Sequence, residues 1–102
     1  RAGDFALVGS AAVIALDAAG KCNYARVVLF GVASTPVRAK EVEDTMLGQS
    51  CSTELFEQAS SLVNEVVDAE SDVHVTDEYR GNVAQVLTVR ALADALGRAK
   101  AA

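Results

Sequence analysis

Two apolar runs face each other across a short turn near the start of the chain, and they limit the possible folds more than any other feature. Phe5–Asp17 is rich in Val, Ile and Ala, with Gly9 and Ser10 placed where a bulge is expected. After Ala18-Ala19-Gly20-Lys21 the chain returns through Cys22–Ala33, whose clearest strand portion is Val27-Val28-Leu29-Phe30. Gly20 can take the positive φ that such a turn requires. Toward their centres both strands are apolar on both faces. A lone hairpin cannot bury that surface, so the sheet needs covering helices and is open to extension by a further strand.

The rest of the chain reads as helices. Thr35 and Pro36 are expected to open the first, with Thr35 as cap and Pro36 where its missing N–H costs nothing. Ala39, Val42 and Met46 then share one face, and Gly48 ends the helix. A second helix is expected from Ser52 or Thr53, with Glu54 at the positive end of its dipole. Its apolar stripe is Leu55, Ala59, Leu62, Val63 and Val66, opposed by Glu57, Ser61 and Asn64. Asp68–Val75 is an acidic connector. Thr76 caps a third helix that opens on Asp77 and Glu78 and runs to about Gly97 or beyond, through Val83, Val86, Val89, Ala93 and Leu96. Strands followed by helices predict an α+β sandwich: an antiparallel sheet built on a long N-terminal hairpin, covered on one face by three helices. At 102 residues this is one domain, residues 1–102, with a single core.

Charge narrows the partners. The net charge is −5, and between Glu41 and Glu78 there are eleven carboxylates without one Lys or Arg. Nucleic-acid binding relies on cations that neutralise phosphates, so this half is not a nucleic-acid surface. An acidic run is usually a solvated face; the sharper alternative is a docking face for a basic partner. No stretch approaches the roughly 20 apolar residues that span a bilayer, and Phe5–Leu16 lacks the flanks of a signal peptide. Cys22 and Cys51 fit a reduced compartment, where thiols act as small apolar groups, so a cytoplasmic location is expected. The chain opens on Arg1 rather than Met, as expected of part of a longer polypeptide.

Catalytic signatures are missing. There is no Gly-x-Gly-x-x-Gly after a strand, no Walker-type loop and no Gly-x-Ser-x-Gly elbow. Cys22, Cys51 and His74 are scattered singletons, which is not a metal-ligand pattern, and His74 sits in a polar connector. Glu54 and Glu57 lie one helical turn apart but beside or opposite the core stripe, as on a solvated face, whereas a catalytic acid needs an apolar or like-charged environment. Arg90, next to the apolar stripe of the last helix, is expected in a structural ion pair, with Asp94 or an acid elsewhere. Tyr79 is expected to place its ring in the core and its hydroxyl at the rim. Arg1 and Asp4 stand at the entry to the first strand, where a chain arriving from another domain would meet this one. The residues alone describe an α+β module with no active site.

Four stretches nevertheless resemble one known domain. They are Arg1-Ala2-Gly3-Asp4-Phe5-Ala6, the run from Arg26-Val27-Val28-Leu29-Phe30-Gly31 through Ser34-Thr35-Pro36-Val37-Arg38-Ala39, Leu47-Gly48, and Asp77-Glu78-Tyr79-Arg80 with Val86–Leu92. In this order they resemble the C-terminal domain of the FAD-binding medium subunit of molybdenum hydroxylases, the carbon monoxide dehydrogenase and xanthine dehydrogenase family. Gly81-Asn82 depart from the basic or bulky pair usual after the Tyr-Arg motif, and Gly81 weakens its helix by up to about 1 kcal/mol relative to Ala.

The resemblance implies a structural, flavin-environment domain inside an FAD/molybdopterin oxidoreductase complex. A molybdopterin large subunit oxidises the substrate, an iron–sulfur small subunit relays electrons, and FAD in the medium subunit passes them to an acceptor. FAD would be held by the preceding domains of the same subunit, so the isolated domain is expected to be inactive and to hold no cofactor. No residue here is implied to be catalytic or to bind a metal. Arg1 and Asp4 match the entry motif and are the implied flavin-environment residues, whereas Tyr79, Arg80 and Arg90 match positions read as structural. The implied substrate stays open between carbon monoxide, a purine, an aldehyde and an aromatic acyl thioester, because that choice lies in the large subunit. The alternative is a free-standing interaction or dimerisation module without flavin, since fold does not fix function.

Overall fold

The computed structural model describes residues 8–31, 35–70 and 77–101, with side chains described over the same spans except 67–70 and 77–81. Its sheet has three antiparallel strands in the order β1-β2-β3, namely Gly9–Leu16, Cys22–Phe30 and Val37–Arg38. The helices are α1 (Lys40–Met46), α2 (Thr53–Ser60), α3 (Val63–Glu70) and α4 (Asp77–Ala101). One face of the sheet is covered, by α1 against β2 and α4 against β1. The architecture is the expected α+β sandwich.

The hairpin forms because its turn is closed three ways. Asp17 Oδ1 accepts from the Ala19 and Lys21 amides, both at 2.9 Å. The Asp17 amide donates to the Lys21 carbonyl at 2.8 Å, and Gly20 takes φ 84°. The ladder is regular from Gly9↔Phe30 onward, so no bulge occurs at Gly9 and Ser10; the irregularity falls instead between Ala15 and Leu16, beside the turn. Alternation then sorts the side chains. Ala12, Ile14, Ala25, Val27 and Leu29 enter the core, and Ala11, Val13, Tyr24 and Phe30 are left exposed.

Thr35 and Pro36 do not open a helix. Val37 and Arg38 pair with Leu29 and Val28 as a third strand, and α1 starts only at Lys40, with Ala39 as an N-cap that makes no side-chain bond. Long-range pairing to β2 outweighs the local start signal, and Pro36 stands just outside the strand, where its missing N–H is harmless. The apolar face of α1 is as expected: Ala39, Val42 and Met46 are fully buried, and Gly48 at φ 79° follows the helix end.

The second helix opens at the expected cap, where the Leu55 amide donates to the Ser52 hydroxyl at 3.1 Å. It breaks at Ser61 and Leu62, so what the sequence suggests as one helix is the pair α2 and α3. Ala59, Val63 and Val66 are buried as expected, and so is Phe56, outside the expected stripe. Buried Ser60 has an Oγ without a hydrogen-bond partner. An unpaired buried hydroxyl costs about 1–3 kcal/mol. Ser60→Ala is accordingly expected to raise the unfolding free energy by about 1 kcal/mol, read from urea unfolding midpoints; a loss of stability would show that the hydroxyl has a partner.

The last helix runs through Gly97 to Ala101. Its buried line is Ala84, Thr88, Leu92 and Ala95, whereas Val86 and Ala93 face outward and Val83, Val89 and Leu96 are half-buried. The interface is thus rotated from the expected Val-rich stripe toward small residues, which allow the helix to approach the strands closely. Thr88 joins helix to sheet. Its hydroxyl donates to the Ala84 carbonyl at 2.7 Å and shares a 3.0 Å hydrogen bond with the Ser10 hydroxyl. His74 and Thr76 lie outside the described residues, as does the beginning of the expected first strand.

Candidate functional site

The most organised polar constellation is built around Glu43, on the inward side of α1. Its residue is only 2% exposed. The reason it is there follows from the backbone. The Ala39 amide donates to the Val27 carbonyl at 2.8 Å, continuing the β2–β3 ladder. A regular ladder would return the Ala39 carbonyl to the Val27 amide. That carbonyl is diverted into α1, where it accepts from the Glu43 amide at 3.2 Å. Glu43 supplies the replacement: its Oε2 accepts from the Val27 amide at 2.9 Å. One residue takes an acceptor from the sheet and gives one back.

Two cations complete the arrangement. Arg38 Nε donates to both carboxylate oxygens at 2.9 and 3.0 Å, and its Nη2 lies 2.8 Å from Oε1. Arg26 Nη1 approaches Oε1 at 3.7 Å, and its guanidinium lies over the Tyr24 ring at 4.9 Å from the centroid. The hydrogen bond to Glu43 raises the Arg38 pKa above its ordinary value. With the carboxylate buried between Arg38 and the Val27 amide, the group is a fixed cluster of charge.

The two cysteines are also brought together. The Cys22 amide donates to the Gln49 carbonyl at 2.9 Å, and the Gly48 amide to the Cys22 carbonyl at 2.7 Å, laying the 48–51 segment along the start of β2. Burial raises the pKa of both thiols from the ordinary 9.0. A protonated thiol is a poor nucleophile, so neither is a catalytic candidate. The linkage has a definite sign. A thiol that resists ionisation in the folded state, but not in the unfolded one, contributes stability that is complete below the unfolded pKa and is lost as pH rises through the folded one. Unfolding midpoints are therefore expected to fall above about pH 9, the thiol's ordinary range. The fall should be shallower in Cys22→Ala/Cys51→Ala; identical slopes would remove the thiols as its cause.

A third feature is an open groove of about 590 Å³ lined by Glu57, Asn82, Gln85, Val86, Val89 and Arg90. Arg90 is exposed there and pairs neither with Asp94 nor with any other described carboxylate, contrary to the expected ion pair. The reason is the rotation of α4, which turns Arg90 to solvent. Among the described residues no cluster of His, Cys, Asp and Glu could hold a metal ion. No helix among them is long and apolar enough to cross a membrane. Arg1 and Asp4, the expected flavin-environment residues, lie outside the described residues, as do the side chains of Tyr79 and Arg80.

The sequence matches the description "CO dehydrogenase flavoprotein C-terminal domain" over residues 1–95. The chain belongs to this family. It is 34% identical over 100 residues to the 6-hydroxypseudooxynicotine dehydrogenase complex subunit alpha of Paenarthrobacter nicotinovorans, covering 98% of this chain and 34% of that subunit. It is 32% identical to the carbon monoxide dehydrogenase medium chain of Afipia carboxidovorans, over 98% of this chain and 34% of that one. The crystal structure of quinoline 2-oxidoreductase from Pseudomonas putida 86 superimposes with a TM-score of 0.80 at 27% identity, over 97% of this chain and 34% of that one. The chain thus spans about a third of the length of the curated relatives it matches.

Membership of a flavoprotein family raises the question of whether these residues suit FAD. A dinucleotide pyrophosphate needs glycine-rich backbone amides leading into a helix. Among the described residues the positive-φ glycines, Gly20, Gly31 and Gly48, lie in three separate connections. The first turns of α1 and α2 carry Glu41, Glu43 and Glu54, which repel an anion. The described residues do not fit the pyrophosphate. Glu43, Arg38 and Arg26 were not singled out by the sequence, although the signal existed: positions 39, 42, 43 and 46 have the i, i+3, i+4, i+7 spacing of one buried face, and one of them is a carboxylate.

Proposed function

We propose that this chain is a structural domain of the FAD subunit of a molybdenum-containing hydroxylase or dehydrogenase. In such a complex FAD passes electrons from iron–sulfur clusters to an acceptor. The observation that carries the reading is the family match over residues 1–95, supported by the fold likeness over nearly the whole chain. Residues 1–102 act as one domain that packs against the FAD-binding part of the subunit, and that subunit works with iron–sulfur and molybdopterin subunits in the cytoplasm. Arg1 and Asp4, at the entry to the domain, contribute to the flavin's surroundings. Alone, the domain holds no flavin and has no activity.

The test compares flavin absorbance of the polypeptide that carries this chain with that of the 102-residue chain itself. A yellow polypeptide and a colourless chain are expected. A colourless parent polypeptide would favour a free-standing interaction module. Arg1→Ala and Asp4→Ala in the yellow polypeptide should perturb the flavin spectrum or lower its FAD content; unchanged spectra would remove both residues from the flavin environment.

A further inference from the structure

We infer that the bare face of the sheet is the surface by which this domain docks onto the FAD-binding remainder of its own subunit, and that the docking strip there is apolar with carboxylates at its border. The inference rests on the function proposed above and adds to it which face is used and what it recognises.

Register defines the face. Gly9↔Phe30, Ala11↔Val28, Val13↔Arg26 and Ala15↔Tyr24 are cross-strand partners, and partners share a face. The opposite face is the one closed by α1 and α4. Of the five large apolar residues that stand exposed among the described residues, three are here: Val13 at 58%, Tyr24 at 42% and Phe30 at 42%. An apolar sheet face left in water is a mark of an interaction site.

Its residues are also held ready. Arg26 lies against Tyr24 and beside Glu43, and Arg38, the cross-strand partner of Val28, is gripped by the same carboxylate. Buried Glu43 therefore fixes two guanidinium groups next to exposed aromatic and aliphatic side chains. Tyr and Arg dominate interface energetics, and fixing them beforehand reduces the ordering cost of association.

Charge and length choose the occupant. The chain as a whole carries −5, yet this face bears Arg26 and Arg38, whose ion-pair partner among the described residues is the buried Glu43, with Asp44 acting on Arg38 from farther off. A partner that suits it has an apolar strip bordered by acids, and a second copy would set the arginines of one face against those of the other. Relatives are about three times as long as this chain, so in each of them a larger body adjoins this domain. A body on the same polypeptide docks at high effective concentration, which suits a patch of this modest size.

The experiment is hydroxyl-radical footprinting of the subunit that carries this chain, with Leu47 and Val86 as internal references. These two are exposed to similar degrees, 44% and 51%, but lie off the face. After normalisation to labelling in urea, Tyr24 and Phe30 should react several-fold less than the references. Val13→Glu, at an exposed site that the core does not need, should bring their labelling back to the reference level. Full labelling of Tyr24 and Phe30 in a subunit that retains flavin absorbance overturns the docking surface and leaves the proposed function standing. Protection that disappears on dilution identifies a second copy as occupant and also overturns it. A subunit without flavin overturns both readings.

Discussion

Replacing Glu43 with alanine should lower the unfolding free energy by about 3 kcal/mol, a large fraction of what a chain of this size has. The loss has a specific origin. The Val27 amide sits in the core with no acceptor other than Oε2, and orphaning a buried donor costs about 1–3 kcal/mol before lost packing is added. The arginines contribute less, because both remain near solvent and can hydrate when the carboxylate is gone. Glu43→Gln separates the two effects. Its amide oxygen can still accept from Val27 while the charge disappears, so it should lose roughly half as much. Urea unfolding at neutral pH checks both variants. Equal losses would assign the stability to the arginine pairs and not to the sheet amide.

Phe56→Ala should be at least as damaging, at about 3–5 kcal/mol. Phe56 is the one aromatic ring buried among the described residues, and it belongs to the same apolar cluster as Met46, Ala59 and Leu92. The remaining core is Val, Leu, Ile and Ala with Cys22 and Met46, and these side chains cannot fill the volume a phenyl ring leaves. Phe56→Leu should lose less than about 1.5 kcal/mol, because it keeps most of the apolar volume. Thermal unfolding checks the pair. A Phe56→Ala chain that melts within a few degrees of the original would mean that α2 contributes little to the core.

Phe56 also shows where the sequence is readable and where it is not. The hairpin was legible because Gly20 and the Val27–Phe30 run agree locally and globally. The α2 cap at Ser52 and the buried trio Ala39, Val42 and Met46 were legible for the same reason. Phe56 and the register of α4 were not: with a tightly packed line of Ala84, Thr88, Leu92 and Ala95, the burying face is chosen by how near a helix can approach a strand, and hydrophobicity alone points to the valines beside it. Thr35-Pro36 misled because a helix start signal is local while the strand that displaced it is made by Leu29 and Val28. Glu43 stayed hidden at the start of a run of eleven acids, since the arginines that grip it belong to two strands whose pairing the local sequence does not show.

The hydrogen bonds that tie α4 to β1 bridge almost the whole chain: Thr88 to Ser10 spans 78 positions, and Arg98 to the Ala12 carbonyl spans 86. Within this domain, β1 is thus covered by a helix made 78 to 86 positions later. At 5–20 residues per second, translation leaves Ala12 and Ile14 without that cover for roughly 4–16 s. Contacts so distant in sequence also close slowly. The hairpin gains its cover only once α4 has been synthesised, and until then its apolar inner face is one that a chaperone would have reason to hold.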